Sequence, residues 1–236
     1  MSFNLLAISS GNTRTRFGSF VDGKLTGSVA ISHDDTIDLA AAVDEAYAPL
    51  ACHNDMAVLI ASVNPKVTER LMRTVPRQTG RTVWRVEEDL PIPIGRQLDR
   101  EAIVGEDRLL NAAAAYDVLK QACIVVDAGT AITIDLVDGA GTFHGGAIMP
   151  GAQMMLDAMH QHTAQLPQLE MTPPAEPVGH NTAQAMFSGV FHGIRGMVRE
   201  LVELYAEAAG AFPMVIGTGG NANLLFKDWP LSLIHI

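Results

Sequence analysis

The residues best suited to chemistry sit in short glycine-bearing turns. One runs Ser9, Ser10, Gly11, Asn12, Thr13, Arg14, Thr15, Arg16; a second runs Asp127, Ala128, Gly129, Thr130; a third glycine turn lies at Gly217 to Gly220. Such turns expose backbone N–H groups and hydroxyls that can bind phosphate oxygens. Each alone reads better as a plain tight hairpin, because a short Gly-Thr turn is a weak signal. Their duplication, with the third turn, favours the phosphate reading. Asp107-Arg108 opens an Ala- and Leu-rich stretch. A carboxylate there can take the proton of a hydroxyl held within about 3 Å, or it can be the acid that a helix dipole favours at its start. The residue types leave both open. Asn181-Thr182 is similarly suited to capping a helix. His160 and His162 form a pair with no third ligand in sequence, so no zinc site is expected.

The elements that must position these residues form a degenerate repeat. Strands are predicted at Asn4 to Ser9, Thr15 to Val21 and Leu25 to Ile31, with Asp22-Gly23 as a hairpin signal. The pattern returns at Ala122 to Asp127, Ala131 to Val137 and Thr142 to Ile148, with Asp138-Gly139 in the matching place. In this overlay Gly11 lies over Gly129, Thr15 over Thr133 and Ser9 over Asp127. Between and after the two copies, helices are expected at Ile37 to Tyr47, Pro65 to Val75, Asp107 to Leu119 and Thr182 to Ala209. Buried strands are expected at Met56 to Val63, Val83 to Val86 and Met214 to Gly217; residues 90–98 and 167–177 read as irregular. The outcome is a two-lobed α/β protein of mixed sheets with flanking helices, lobes 1–115 and 116–236, whose facing halves would leave a ligand cleft. Gly189, Gly193 and Gly196 share one helical face and suggest close helix packing, at a dimer interface in particular. Methionines such as Met154, Met155 and Met159 are expected to fill the core.

Composition narrows the function classes. The chain has 236 residues, 48% hydrophobic and 18% charged, and a formal net charge of −10. That describes a well-buried globular protein and a poor non-specific nucleic-acid binder, since phosphate neutralisation needs clustered Lys and Arg. Two cysteines, Cys52 and Cys123, exclude a disulfide framework and fit a reducing compartment. There is no apolar run of the roughly 20 residues a membrane span needs. A soluble cytoplasmic protein, without nucleic-acid or membrane partners, is the expectation.

Taken in order, these motifs resemble the type III pantothenate kinases, within the acetate/sugar kinase–Hsp70–actin superfamily. Gly11-Asn12-Thr13 with Gly18 matches the first phosphate loop. Ser62-Val63-Asn64-Pro65 is similar to a strand-end motif, Gly105-Glu106-Asp107-Arg108 matches the GxDR signature, and Asp127 to Ala131 with Thr133 matches the second loop. Gly145-Gly146, Pro150-Gly151, Asn181-Thr182, Ala185-Met186 and Gly189 match the later motifs. The resemblance covers roughly residues 4–224. It implies an actin-like (ribonuclease H-like) duplicated fold and ATP-dependent phosphorylation of pantothenate, the first step of coenzyme A synthesis. It also implies a divalent metal such as Mg2+ with ATP, a monovalent cation (K+ or NH4+), and a homodimer.

The same resemblance assigns roles. Asp107 would be the general base. Gly105, Glu106, Asp107, Arg108 and Thr182 would contact pantothenate, Arg108 through the carboxylate that a guanidinium fits bidentately. Ser9, Ser10, Gly11, Asn12, Thr13, Arg14, Thr15, Arg16 and Thr130 would contact ATP, and Asp127 would hold the monovalent cation. The plain alternatives are a surface salt bridge for Arg108, a helix cap for Thr182, and for Asp127 an acid satisfied by its own turn. Glu106 itself is expected to be a surface side chain whose backbone lies in the substrate loop. Ser9 departs from the family pattern, which has Asp there. This keeps a second reading in play: a catalytically weakened relative acting as a regulatory or accessory binding protein. The closing Leu231 to Ile236 also departs from the family's usual end.

Overall fold

The computed structural model describes residues 3–33, 38–210, 212–227, 229 and 233–235. They form two compact units, Met1–Pro93 with Val104–Asp107, and Ile94–Ile103 with Arg108–Ile236. The chain passes between them three times, at Pro93–Ile94, Ile103–Val104 and Asp107–Arg108.

The first unit is built on a five-stranded sheet. Its strands are β1 (Leu5–Ser10), β2 (Arg14–Val21), β3 (Lys24–Ser32), β4 (Ala57–Ser62) and β5 (Val83–Arg85), in the order β3-β2-β1-β4-β5. Alternation makes these strands: Leu6, Ile8 and Ser10 are buried while Leu5, Ala7 and Ser9 are not. The β2–β3 turn places Asp22 at φ 51° and Gly23 at φ 76°, the backbone that a two-residue hairpin requires. Helices α1 (Leu39–Tyr47) and α2 (Pro65–Thr79) bring Val43, Leu71 and Val75 onto Leu6, Ile8, Phe17 and Ile60. Asn64 caps α2 by accepting from the Val67 N–H at 3.3 Å, with Pro65 at the first helical position. The sequence reading ends this helix at Val75. The helix instead runs on to Thr79, with Pro76 tolerated in its final turn, and Gly80 closes it at φ 65°, its N–H on the Pro76 carbonyl. Ile37 lies outside the described residues.

The second unit repeats that topology. Its strands are β6 (Gly95–Arg96), β7 (Cys123–Ala128), β8 (Ala131–Val137), β9 (Thr142–Pro150), β10 (Met214–Thr218) and β11 (Leu233–His235), in the order β11-β10-β7-β8-β9-β6. As in the first unit, the opening three strands are antiparallel neighbours, and the first is flanked on its other side by two parallel strands. Strand β6, beside β9, is an addition to the shared pattern. Helices α3 (Glu106–Leu119), α4 (Ala152–Gln161), α5 (Thr182–Ala209) and α6 (Ala222–Phe226) complete the second half of the chain. On α5, Met186, Val190, Ile194, Val198 and Val202 follow a helical period and pack on Val126, Ile132, Ile134 and Leu156. Met155 and Met159 of α4 join this core, but Met154 is 42% exposed, contrary to the expectation of core filler. Gly189, Gly193 and Gly196 lie off the buried face of α5. A Cβ added at any of them would meet nothing within 4 Å, so none of the described helices of the chain packs there.

Register corrects one detail of the repeat. Ser9 and Asp127 are each the fifth residue of their strand, as the overlay has it. The first loop, however, has Gly11-Asn12-Thr13 between its strands, and the second only Gly129-Thr130. Thr133 therefore pairs opposite Asp127, the place that Arg16, not Thr15, takes opposite Ser9.

Candidate active site

The first glycine turn closes β1 onto β2 in the first unit. The Gly11 N–H donates to the Arg14 carbonyl at 3.0 Å. Ser9, Asn12, Thr13, Arg14 and Arg16 are exposed, with Arg16 the cross-strand neighbour of Ser9. Ser10 and Thr15 point the other way. Both are buried, and their hydroxyl oxygens are 3.0 Å apart. Thr15 also meets Nε2 of His33 at 3.0 Å, while Nδ1 of His33 lies 2.9 Å from the Asn12 carbonyl. Alternation dictates this division: neighbouring residues on a strand face opposite ways, so a run of eight candidates cannot all meet one ligand.

The second glycine turn sits at the end of β7 in the second unit. Asp127 is half-buried and accepts from Nδ2 of Asn111, on α3, at 2.8 Å. Thr130 is exposed, and its carbonyl accepts from the Gly151 N–H at 3.0 Å. The third glycine turn packs against this one. Gly219 has φ 95°, and a Cβ on it would lie 2.6 Å from the Ala128 carbonyl carbon. Asn221 donates its N–H to the Ala128 carbonyl at 2.9 Å.

Asp107 and its neighbours begin α3. Asp107 is exposed, in the first turn. Its carboxylate lies back over Gly105, where a Cβ would come 2.5 Å from Oδ1. Glu106 is not the surface side chain expected from sequence. Its Oε2 accepts the Ser62 N–H at 3.0 Å, tying the helix start to the end of β4. Burial raises its pKa above the usual glutamate value, with the Ser62 N–H and then Arg85 acting in the opposite direction.

Arg108 turns into the second unit and forms an ion pair with Asp135 of β8. Nε lies 3.1 Å from both carboxylate oxygens, and Nη2 also bonds Oδ1. The guanidinium sits 5.6 Å from the centre of the Phe143 ring. The Asp135 side chain is 2% exposed and that of Arg108 14%. Tyr205 is close enough that burial and then the Asp135 charge raise its pKa. Sequence reasoning missed Asp135, although a carboxylate inside the apolar run Ala131 to Val137 was a readable signal, since a buried charge demands a partner. Thr182 is exposed at the first position of α5, and Asn181 is the cap, accepting the Gln184 N–H at 2.9 Å. His160 bonds the Leu166 carbonyl through Nδ1. Among the described residues no three or more His, Cys, Asp or Glu gather as a metal group, and no helix is long and apolar enough to cross a membrane.

Residues 5–204 match the family model described as type III pantothenate kinase. The chain is 37% identical over 227 residues to a type III pantothenate kinase of Thermus thermophilus, covering 94% of this chain and 89% of that one. It is 38% identical over 226 residues to the enzyme of the same name from Rhodospirillum rubrum, covering 93% and 88%. Among solved structures, a Baf family transcriptional activator from Campylobacter jejuni superimposes with a TM-score of 0.61 at 20% identity, covering 98% and 90%. A 2-dehydro-3-deoxygalactonokinase protein from Sinorhizobium meliloti does so with 0.55 at 13% identity, covering 98% and 91%. At such identities the structures establish the fold, which is that of the actin-like ATPases. On its sequence, the chain belongs to the type III pantothenate kinase family.

Proposed function

We propose that the chain transfers the γ-phosphoryl group of ATP to the primary hydroxyl of pantothenate, the first step of coenzyme A synthesis. The observation that carries this is an exposed Asp107 carboxylate, at the start of α3, in a chain of this family. A bond forms between the hydroxyl oxygen and the γ-phosphorus, the bond from that phosphorus to the β-phosphate oxygen breaks, and the proton passes to Asp107. Ser9, Gly11, Asn12, Thr13, Arg14, Arg16 and Thr130 are the ATP contacts; Ser10 and Thr15 support their loop from the buried side. Arg108, Thr182 and the Gly105–Glu106 backbone hold the acceptor. Mg2+ bound with ATP would neutralise phosphate charge, and ion–phosphate contacts are its usual mode of binding. Asp127 offers the oxygen chemistry a monovalent cation takes, beside the carbonyls of its turn. The copies divide near residue 115, inside α3. The open glycine stripe of α5 suits a homodimer contact, and the two free cysteines suit a cytoplasmic enzyme.

A coupled ADP-release assay, with and without pantothenate, tests the reaction; absence of pantothenate-dependent release would end this reading. The cation has its own test. Rates are expected to rise when sodium is exchanged for potassium or ammonium, and Asp127→Ala should abolish the rise. Equal rates in sodium and potassium would remove the site.

Ser9 offers a gain-of-function test. A carboxylate at this exposed position would hold the metal–ATP complex better than a neutral hydroxyl. Ser9→Asp is expected to raise kcat/KM for magnesium-ATP by about tenfold, roughly 1.4 kcal/mol, and most at low magnesium. Arg16, directly across the strand pair, is the competitor that would blunt the gain by pairing with the new acid. A variant slower than the parent would mean that the site is built around serine.

A further inference from the structure

We infer that His33 is a positioning residue for the first phosphate loop, a role that rests on the reading that this loop holds ATP. His33 follows β3 and reaches the loop three times. Its backbone N–H donates to the Thr13 carbonyl at 2.8 Å. Its Nδ1 lies 2.9 Å from the Asn12 carbonyl, and its Nε2 lies 3.0 Å from the Thr15 hydroxyl. A carbonyl oxygen only accepts, so Nδ1 carries a proton. Nε2 can then accept from Thr15, or donate to it when the ring is charged, and the contact survives either way. Behind it, the Thr15 hydroxyl meets the Ser10 hydroxyl; these side chains are buried, at 0% and 2% exposure.

The consequence is directional. Two consecutive carbonyls of the loop, those of Asn12 and Thr13, are drawn toward His33. Their peptide planes are thereby fixed, and with them the N–H groups of the residues that follow. A phosphate-binding turn works by holding such N–H groups fixed. The ring makes no claim on the acceptor alcohol or on the proton transfer. Its removal should therefore weaken ATP binding and leave the pantothenate contacts alone.

The test measures binding and kinetics on the full chain. Titration of wild type with magnesium and a non-hydrolysable ATP analogue, by calorimetry, first establishes binding. His33→Ala is expected to raise that Kd, and the KM for ATP, by about tenfold, within the range over which positioning groups act, with the KM for pantothenate within twofold of wild type. His33→Asn keeps an N–H donor one bond from Cγ, aimed at the Asn12 carbonyl, and should recover most of the loss. A role in folding alone predicts something different: a lower melting temperature, with ATP and pantothenate constants shifting together and no rescue by Asn. That pattern, or an unchanged Kd in His33→Ala, would overturn the inference. Failure of wild type to bind the analogue would instead overturn the loop reading, and the inference with it.

Discussion

Replacing Asp107 by Asn is expected to lower kcat by about 10²-fold or more while leaving ATP binding nearly intact. The factor is the usual contribution of a positioned general base. Asparagine keeps the volume and one acceptor oxygen but cannot take the proton of the attacking hydroxyl. The position makes the test clean. Asp107 is exposed on the first turn of α3, so its replacement does not open the core. The neighbouring Glu106, and not Asp107, ties the helix start to Ser62. A stability loss in Asp107→Asn should stay on the order of 1 kcal/mol, the scale of an exposed first-turn acid. Steady-state rates with pantothenate, alongside calorimetric ATP titration and a thermal melt, check all three quantities. An unchanged kcat would remove Asp107 from the mechanism. Gly105 offers an independent handle: a Cβ there would press on Asp107 Oδ1, so Gly105→Ala should reproduce part of the loss by displacing the carboxylate.

Elements defined by local pattern were legible in the sequence. The two triple-stranded openings stood out through alternation and Asp-Gly turns, and α5 through its period and its Asn181 cap. What was missed lacked a local signal. Helix α4 begins after Gly151, which has no side chain to cap it, so no hydroxyl or acid marks its start. Strand β6 is two residues whose partner, β9, is remote in sequence. Helix α2 runs four residues past its expected end although Pro76, inside it, cannot donate to the carbonyl four residues back; the buried Val75 and Thr79 hold that last turn on the core, a tertiary contact that no local pattern shows. The site follows the same logic. The glycine turns and the run Gly105 to Arg108 are contiguous and could be read directly. Their supports, Asn111 for Asp127, Asp135 for Arg108 and His33 for Asn12, come from other elements. Asp135 alone is signalled, as a carboxylate inside an apolar run, and even there nothing in the segment names Arg108 as its partner. The one-residue difference between the loops was invisible for a related reason, since only strand register shows that Thr133, not its neighbour, faces Asp127.

The largest stability effect is expected at Asp135. Its carboxylate and the Arg108 guanidinium are almost wholly removed from water. Such a pair need add little net stability, because desolvation offsets most of the attraction, yet removing one partner strands the other charge. Asp135→Asn should therefore cost about 3–5 kcal/mol, the range for breaking a buried pair. The double variant Asp135→Leu with Arg108→Leu should cost less than the two single changes added together, since no charge is left behind. The same pair bears on function. Arg108 is held edge-on to Asp135 and over Phe143, a geometry that fixes where its remaining N–H groups point. With Asn at 135 that orientation loosens, and the KM for pantothenate should rise by about tenfold, as for other misplaced positioning groups, with the KM for ATP little changed. The packing around the carboxylate supplies a second route to the same state. Gly146 pairs with Asp135 across β8 and β9, and a Cβ on it would strike the Ile134 carbonyl and lie 2.7 Å from Asp135 Oδ1. Gly146→Ala should then lower stability and raise the pantothenate KM together, even though neither charge is touched. Denaturant midpoints for the single variants and the double, read beside the two Michaelis constants, decide the matter. If Asp135→Asn keeps wild-type stability and wild-type pantothenate affinity, Arg108 is held by something other than Asp135, and the ion pair has no part in acceptor binding.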